Sequence, residues 1–370
     1  MKPLVSFVVP CYKLAHLLPQ CVNSILAQTY KNFEVLIMDN CSPDSTPEVA
    51  GSFDDPRVNH IRNETNLGHV RNFNKGIEMS RGKYVWLVSA DDWLRSPDVL
   101  GRYVDLMERK PEVGYVFCRA VEVRGSKEVG VAPWTNCGKE EQIWNARSFL
   151  MRLIRGNCVV MSSTLVRKKC YDEVGLFSLD MPHANDWYLW CLLALHFQVA
   201  YLPEPMVFVR IHEESLTSAF KQEGSSVCVV DELSVLWRIA RQAELAGVFS
   251  LGHAFNASIA SRAARALKSG RGGSTRPGLS ERDFEALLRS HVRDSKDEID
   301  VRARVYMAVG DEQFWDGEYT KAAQAYWLGL RLRPWWLRSW IKYLLLWTGG
   351  VGIWIRRFVL DLHHQSVEPS

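Results

Sequence analysis

The sequence predicts an α/β fold built on a mainly parallel sheet, followed by a C-terminal α-helical region. Three observations lead there. Apolar runs without polar alternation occur at 4–9, 33–38, 57–61 and 83–89, the pattern of strands buried on both faces. Helical patterns separate them at Pro19–Gln28, Thr46–Gly51 and His69–Ser80, so strands and helices alternate as right-handed βαβ units require. From about Ser225 the texture changes to alanine, leucine and arginine, as in NASIASRAARALKSG.

The elements follow in order. Leu4–Val9 is too short for the apolar core of a signal peptide and reads as a first buried strand. After the strand at 83–89 come a helix over Pro97–Arg109, a strand at 113–123 and a polar loop over Arg124–Glu141. A helix at 146–155, a strand at 161–167, a helix at 185–196 and a last strand at 206–212 complete this part. The expected organisation is a catalytic domain over 1–222, a helical region over 223–333 and a Trp/Arg-rich amphipathic tail over 334–370. GRGGSTRPG at 270–278 reads as a flexible connector within the helical region.

Composition narrows the function classes. The 370 residues are 47% hydrophobic and 24% charged, ordinary values for a globular chain with a sizeable core. A net charge of +3 is too mild to imply nucleic-acid binding. Nine cysteines, odd in number and without Cys-x-x-Cys spacing, indicate neither a zinc site nor a disulfide framework. They read as buried thiols of a cytoplasmic protein.

Ligands of parallel α/β sheets bind at the carboxyl ends of the strands, so the residues just after each strand carry the functional argument. After the first strand comes PCYK at 10–13, a turn whose backbone can approach a ligand and which is equally an ordinary turn. After the second comes MDNCSPDST at 38–46: Asp39 and Asn40 can meet a base edge or ribose, while Asp44 or Ser45 can cap the next helix. SADDW at 89–93 is the most informative piece. Two adjacent carboxylates at a buried strand tip repel one another and lose hydration, which is costly unless a cation or donor-rich ligand sits there. A helix N-cap is the competing reading for Asp91 or Asp92. Asp186 opens an amphipathic helix and is either a general base or a cap. His212, just past the last strand, is a metal ligand, a phosphate partner or simply structural.

Taken in order, these segments resemble the family 2 glycosyltransferases. FVVPCYK matches the opening strand and Pro-x-Tyr turn, with Lys13 where the family carries asparagine. NSILAQTY, DNCSPDST, the NLGHVRNFNKG…GKY segment at 66–84, SADD, VGLF at 174–177, Asn185-Asp186 and VRIHEES resemble the family's later motifs. The match covers about residues 4–217. It implies a GT-A (Rossmann-like) nucleotide-sugar-binding domain and inverting transfer from a nucleoside-diphosphate sugar to a hydroxyl of a saccharide or lipid-linked acceptor in cell-surface polysaccharide synthesis. It implies a nucleotide-sugar site of Pro10, Tyr12, Asp39, Asn40, Asn74 and Asp91. It also implies a Mg²⁺ or Mn²⁺ site at Asp92 and His212, and Asp186 as the general base. Asn40, Ser89 and Asn185 stand where many members carry acidic residues.

The tail adds two features. Residues 301–334 resemble one tetratricopeptide-like helix pair, and a single unit forms a local hairpin rather than a solenoid. Residues 331–357 hold five tryptophans, six basic residues and no acidic one. Their apolar run from Tyr343 to Ile355 is interrupted by glycines and falls short of the ~20 residues needed to span a bilayer. This predicts a peripheral anchor at the inner face of a membrane, or a helix pair packed on the protein itself. Two other function classes remain open on the residues alone. A nucleotidyltransferase needs a glycine- and basic-rich phosphate loop that PCYKLAH does not offer, and a non-catalytic interaction module leaves the carboxylates without a role.

Overall fold

A computed structural model describes residues 4–213, 215, 218, 226–270, 278–292 and 294–347. The chain divides into two compact units, one of Met1–Ala219 with Gln242–Phe249, the other of Phe220–Arg241 with Ser250–Ser370.

The first unit is a mixed α/β sheet. Its core strands β1 (Val5–Cys11), β2 (Phe33–Asp39) and β4 (Tyr84–Leu87) are buried at every position, as continuous apolar runs demand. With β3 (Val58–Arg62) they pair in parallel in the order β3-β2-β1-β4. Helices α1 (Leu18–Leu26), α2 (Thr46–Gly51) and α3 (His69–Met79) make the crossovers. α3 lies so close to the sheet that only glycine fits at residue 76, where a Cβ would meet Val8 and Met38 side chains. The polar residue within β2, Glu34, is buried because Ser6 and the Arg81 side chain and backbone N–H all donate to its carboxylate.

Beyond β4 the sheet becomes mixed. Two-residue β5 (Trp93–Leu94) precedes α4 (Val99–Arg109), and β6 (Val113–Arg124) turns into a hairpin with β7 (Lys127–Val131). β8 (Gln142–Trp144) and α5 (Ala146–Leu153) follow, then β9 (Leu165–Arg167), α6 (Lys168–Val174), α7 (Asn185–His196) and β10 (Gln198–Arg210). β9 runs antiparallel between β4 and β6, whereas β10 is parallel to β6. Phe7 stacks on Trp86, which packs against Tyr103, and a second aromatic cluster joins Tyr115, Phe117, Phe149 and Trp190.

Several expectations shift. The segment read as a polar loop contains β7 and a 3₁₀ turn at Pro133–Thr135. The strand expected over 161–167 is a 3₁₀ turn at Met161–Ser163 followed by the three residues of β9. β10 begins at Gln198 rather than 206, because its pairing with β6 absorbs Pro205 through register shifts that interrupt the strand pattern.

The second unit is helical among its described residues: α8 (Ser226–Leu245) up to Arg241, α9 (Gly252–Gly270), α10 (Glu281–His291), α11 (Ser295–Trp315), α12 (Tyr319–Leu332) and α13 (Leu337–Trp347). α11 and α12 form the hairpin suggested by the tetratricopeptide-like spacing. Gly317, at a φ of +79°, supplies its left-handed turn. Gly310 and Gly329 let the helices approach, one against the Tyr326 ring and the other against Met307. Residues 271–277, within the expected connector, and 348–370 of the tail lie outside the described residues.

Candidate active site

The carboxyl ends of β1, β2 and β4 converge. Cys11 pairs in register with Asp39 and Asp39 with Arg62, the Asn40 N–H donates to the Cys11 carbonyl, and the Ala90 N–H donates to the Pro10 carbonyl. The PCYK, MDN and SADD segments therefore meet at one end of the sheet, where α/β folds place ligands. Lys13 and Cys41, each two residues past a strand end, adopt a left-handed φ of 60° and 61°. This conformation is rare for residues with side chains and concentrates at ligand sites. The two loops are interlocked, since the Lys13 N–H donates to Ser42 Oγ and the Ala15 N–H to Asp44 Oδ2. Asp44 also accepts from the Thr46 N–H, so it braces the start of α2.

The two aspartates after β4 differ sharply. Asp92 is buried and both its oxygens are engaged: Oδ2 accepts from Ser162 Oγ at 2.5 Å and Oδ1 from the Arg210 N–H at 3.0 Å. Burial, and then the charge of Asp91, push its pKa well above the usual carboxylate range, against the hydrogen bonds from Ser162 and Arg210. Asp91 Oδ2 lies 2.9 Å from His212 Nε2, while its Oδ1 is buried without a hydrogen-bond partner. Neither residue caps a helix, because α4 starts later, after Asp98. The two residues expected at the metal have different partners. His212 sits on Asp91, and Asp92 anchors the end of β10.

Asp39 is fully buried, with Oδ1 accepting from the Ser42 N–H and Oδ2 receiving the exposed Arg62 guanidinium at 2.6 Å and His60 at 3.4 Å. Asn40 is the centre of an amide network. Its Oδ1 accepts from Asn63 and the Leu67 N–H, and its Nδ2 donates to Asn66. Asn74 uses both ends of its amide on the Phe177 backbone, tying α3 to the segment before α7. Pro10 is buried within β1, whereas the Tyr12 ring is exposed beside the Lys13 ammonium.

Asp186 stands in the first turn of α7, preceded by Pro182, whose carbonyl lies 2.9 Å from His69 Nε2 of α3. Its Oδ2 accepts from Asn157 Nδ2 at 2.9 Å and its Oδ1 from the Trp187 N–H at 2.6 Å. Burial raises its pKa, against the Trp187 N–H, the nearby His183 and the Asn157 amide.

Sequence reasoning missed four contributors. Arg62 lies one residue beyond an expected strand, at the register position opposite Asp39. Ser162 lay within a segment read as strand. Arg210 was visible within VRIH. Its Nε donates to the Asp91 carbonyl, its guanidinium reaches Gly125 and Gln20, and it lies 4.8 Å from the Trp93 ring. Asn157, in a loop without periodicity, left no signal.

Among the described residues no group of three or more His, Cys, Asp and Glu side chains is gathered as a metal cage. Asp91 with its open oxygen, next to His212, still fits a hard divalent ion, which commonly takes only one or two carboxylates and completes its shell with phosphate oxygens and water.

A mainly parallel sheet with polar loops and a carboxylate pair gathered at its strand tips defines a GT-A-type transferase fold. The family model described as glycosyl transferase family 2 matches residues 6–175, all within the first unit. This decides between the enzyme and binding classes that the residues alone left open: the protein is a glycosyltransferase. An uncharacterised glycosyltransferase of Rickettsia typhi is 25% identical over 238 residues, which cover 64% of this chain and 70% of that protein. One from Haemophilus influenzae is 26% identical over 231 residues, covering 60% and 69%. Among solved structures, Staphylococcus aureus TarS 1–349 in complex with UDP-GlcNAc superposes with a TM-score of 0.61 at 17% identity, covering 88% of this chain and 89% of that one.

Proposed function

We propose that this chain transfers a sugar from a nucleoside-diphosphate sugar to a hydroxyl of a saccharide or lipid-linked acceptor, with inversion, in the building of a cell-surface polysaccharide. The observation that carries the reading is the unpartnered buried oxygen of Asp91 at the strand tips of a family 2 glycosyltransferase. The UDP-GlcNAc complex of TarS, which shares the fold, supports a nucleotide sugar as the donor.

In this reading Asp91 and His212 would hold Mg²⁺ or Mn²⁺, and Asp92 fixes the loop beneath them through Ser162 and Arg210. Such an ion, when bound, offsets negative charge developing on the leaving diphosphate. Asp39 and Asn40 act by holding the base-side loops, with Asp39 orienting Arg62 towards the ligand, while Pro10 and Tyr12 form one wall of the nucleotide site. Asn74 keeps the Phe177 segment in place on the acceptor side. Asp186 takes the proton of the acceptor hydroxyl as that oxygen attacks the anomeric carbon from the face opposite the departing diphosphate. Asn157 aims the carboxylate.

The test is a panel of nucleotide sugars scored for donor-dependent thermal shift and turnover, with Mn²⁺, with Mg²⁺ and with chelator. The expected result is a shift for one donor that disappears with chelator and in Asp91→Asn. A donor that binds and turns over equally in chelator would overturn the metal assignment, and no response to any nucleotide sugar would overturn the donor assignment.

A further inference from the structure

The last described helix of the second unit, α13, has two unlike faces. On one face of α13, Tyr343 and Leu346 pack with the preceding Trp336 against the core of the α11–α12 hairpin, and Lys342 pairs with Asp311. The opposite face carries Leu337, Ile341 and Leu344, spaced by four and three residues and 72%, 51% and 55% exposed. Tryptophans mark both ends of this stripe, Trp335 at 67% and Trp347 at 70% exposure. Trp327 of α12, also exposed, extends it sideways, with its ring 5.9 Å from that of Tyr343. A helix of this length gains nothing from leaving such a row in water, and a contiguous apolar patch of this kind marks an interaction surface.

Charge selects the occupant. Residues 331–347 contain Arg331, Arg333, Arg338 and Lys342 and no acid. Arg333 and Lys342 are paired with Asp300 and Asp311, while Arg331 is exposed. A second copy of this face would offer the exposed Arg331 no acid from residues 331–347. An anionic lipid surface meets both requirements: acyl chains accept the aliphatic stripe, indole rings favour the headgroup boundary, and anionic headgroups attract the arginines. No helix of the described residues is long and apolar enough to cross a membrane, so the helix would lie in the plane of the surface.

We propose that the Leu337–Ile341–Leu344 face of α13, flanked by Trp335 and Trp347, is a monotopic docking surface for anionic phospholipid bilayers. The assignment is independent of the reaction chemistry above, and its test reads partition rather than turnover. Full-length protein is floated with vesicles of phosphatidylcholine alone and of phosphatidylcholine mixed with phosphatidylglycerol. The wild-type chain should float with the mixed vesicles and much less with the neutral ones, and salt should weaken the binding. The triple variant Leu337→Ser, Ile341→Ser, Leu344→Ser should lose at least ~10-fold in partition with an unchanged circular dichroism spectrum, since exposed side chains add little to the fold. If the variant is misfolded, quenching of wild-type tryptophan fluorescence by brominated acyl chains decides instead, because it requires indoles at acyl depth. Wild-type protein that stays out of both vesicle fractions and is not quenched would overturn the proposal. So would a folded variant that floats equally well, or one that merely converts an oligomer to a monomer.

Discussion

Asp186, the proposed base, sits in an environment that fixes how it responds to pH. Burial holds its pKa above the ordinary aspartate value. A base works only when ionised, so kcat/KM should fall on the acid side, with the fall beginning at a higher pH than an exposed aspartate would give. Asn157→Ala removes an amide donor that favours the ionised form, and the acid limb should move further up the pH axis. An unmoved limb in the pH–rate profile would mean that Asn157 does not act through Asp186. The stability linkage has the same origin. The folded state holds this proton more tightly than the unfolded chain does, so the group favours folding at low pH and that contribution is lost as pH rises through the native value. Residue types at strand tips made the carboxylates legible in the sequence. Which of Asp91 and Asp92 keeps an open oxygen was not, because Ser162 and Arg210, 70 and 118 positions away, decide it.

Among the elements, those buried on both faces were the easiest to read. β1, β2 and β4 are buried at every position and mostly apolar because no face of them meets water, whereas β5, β7 and β8 are short or peripheral and carry no comparable period. Close packing makes sharper predictions at glycines. In the α11–α12 hairpin a Cβ at Gly310 would stand 2.5 Å from the Tyr326 ring, a fully buried side chain. Gly310→Ala should therefore destabilise the second unit by about 1–3 kcal/mol in denaturant titration. Gly101 lies in helix α4 with open space where its Cβ would be. Gly101→Ala should stabilise by about 0.5–1 kcal/mol through helix propensity alone. The opposite signs separate packing from backbone entropy, and a loss of stability in both would contradict the account of Gly101.

At the scale of the molecule, each unit has its own apolar core, and the residues proposed for donor, metal and base all belong to the first. Glycosyl transfer should then depend on a small set of first-unit side chains. The most direct measurement compares wild-type protein with Asp186→Asn in parallel donor-binding and turnover assays. Asparagine preserves the shape and much of the hydrogen bonding to Asn157 and Trp187 but removes the basic oxygen. Donor affinity should stay unchanged while kcat falls by about 10²–10⁴-fold. A purified, folded Asp186→Asn enzyme that turns over at the wild-type rate would contradict the assignment.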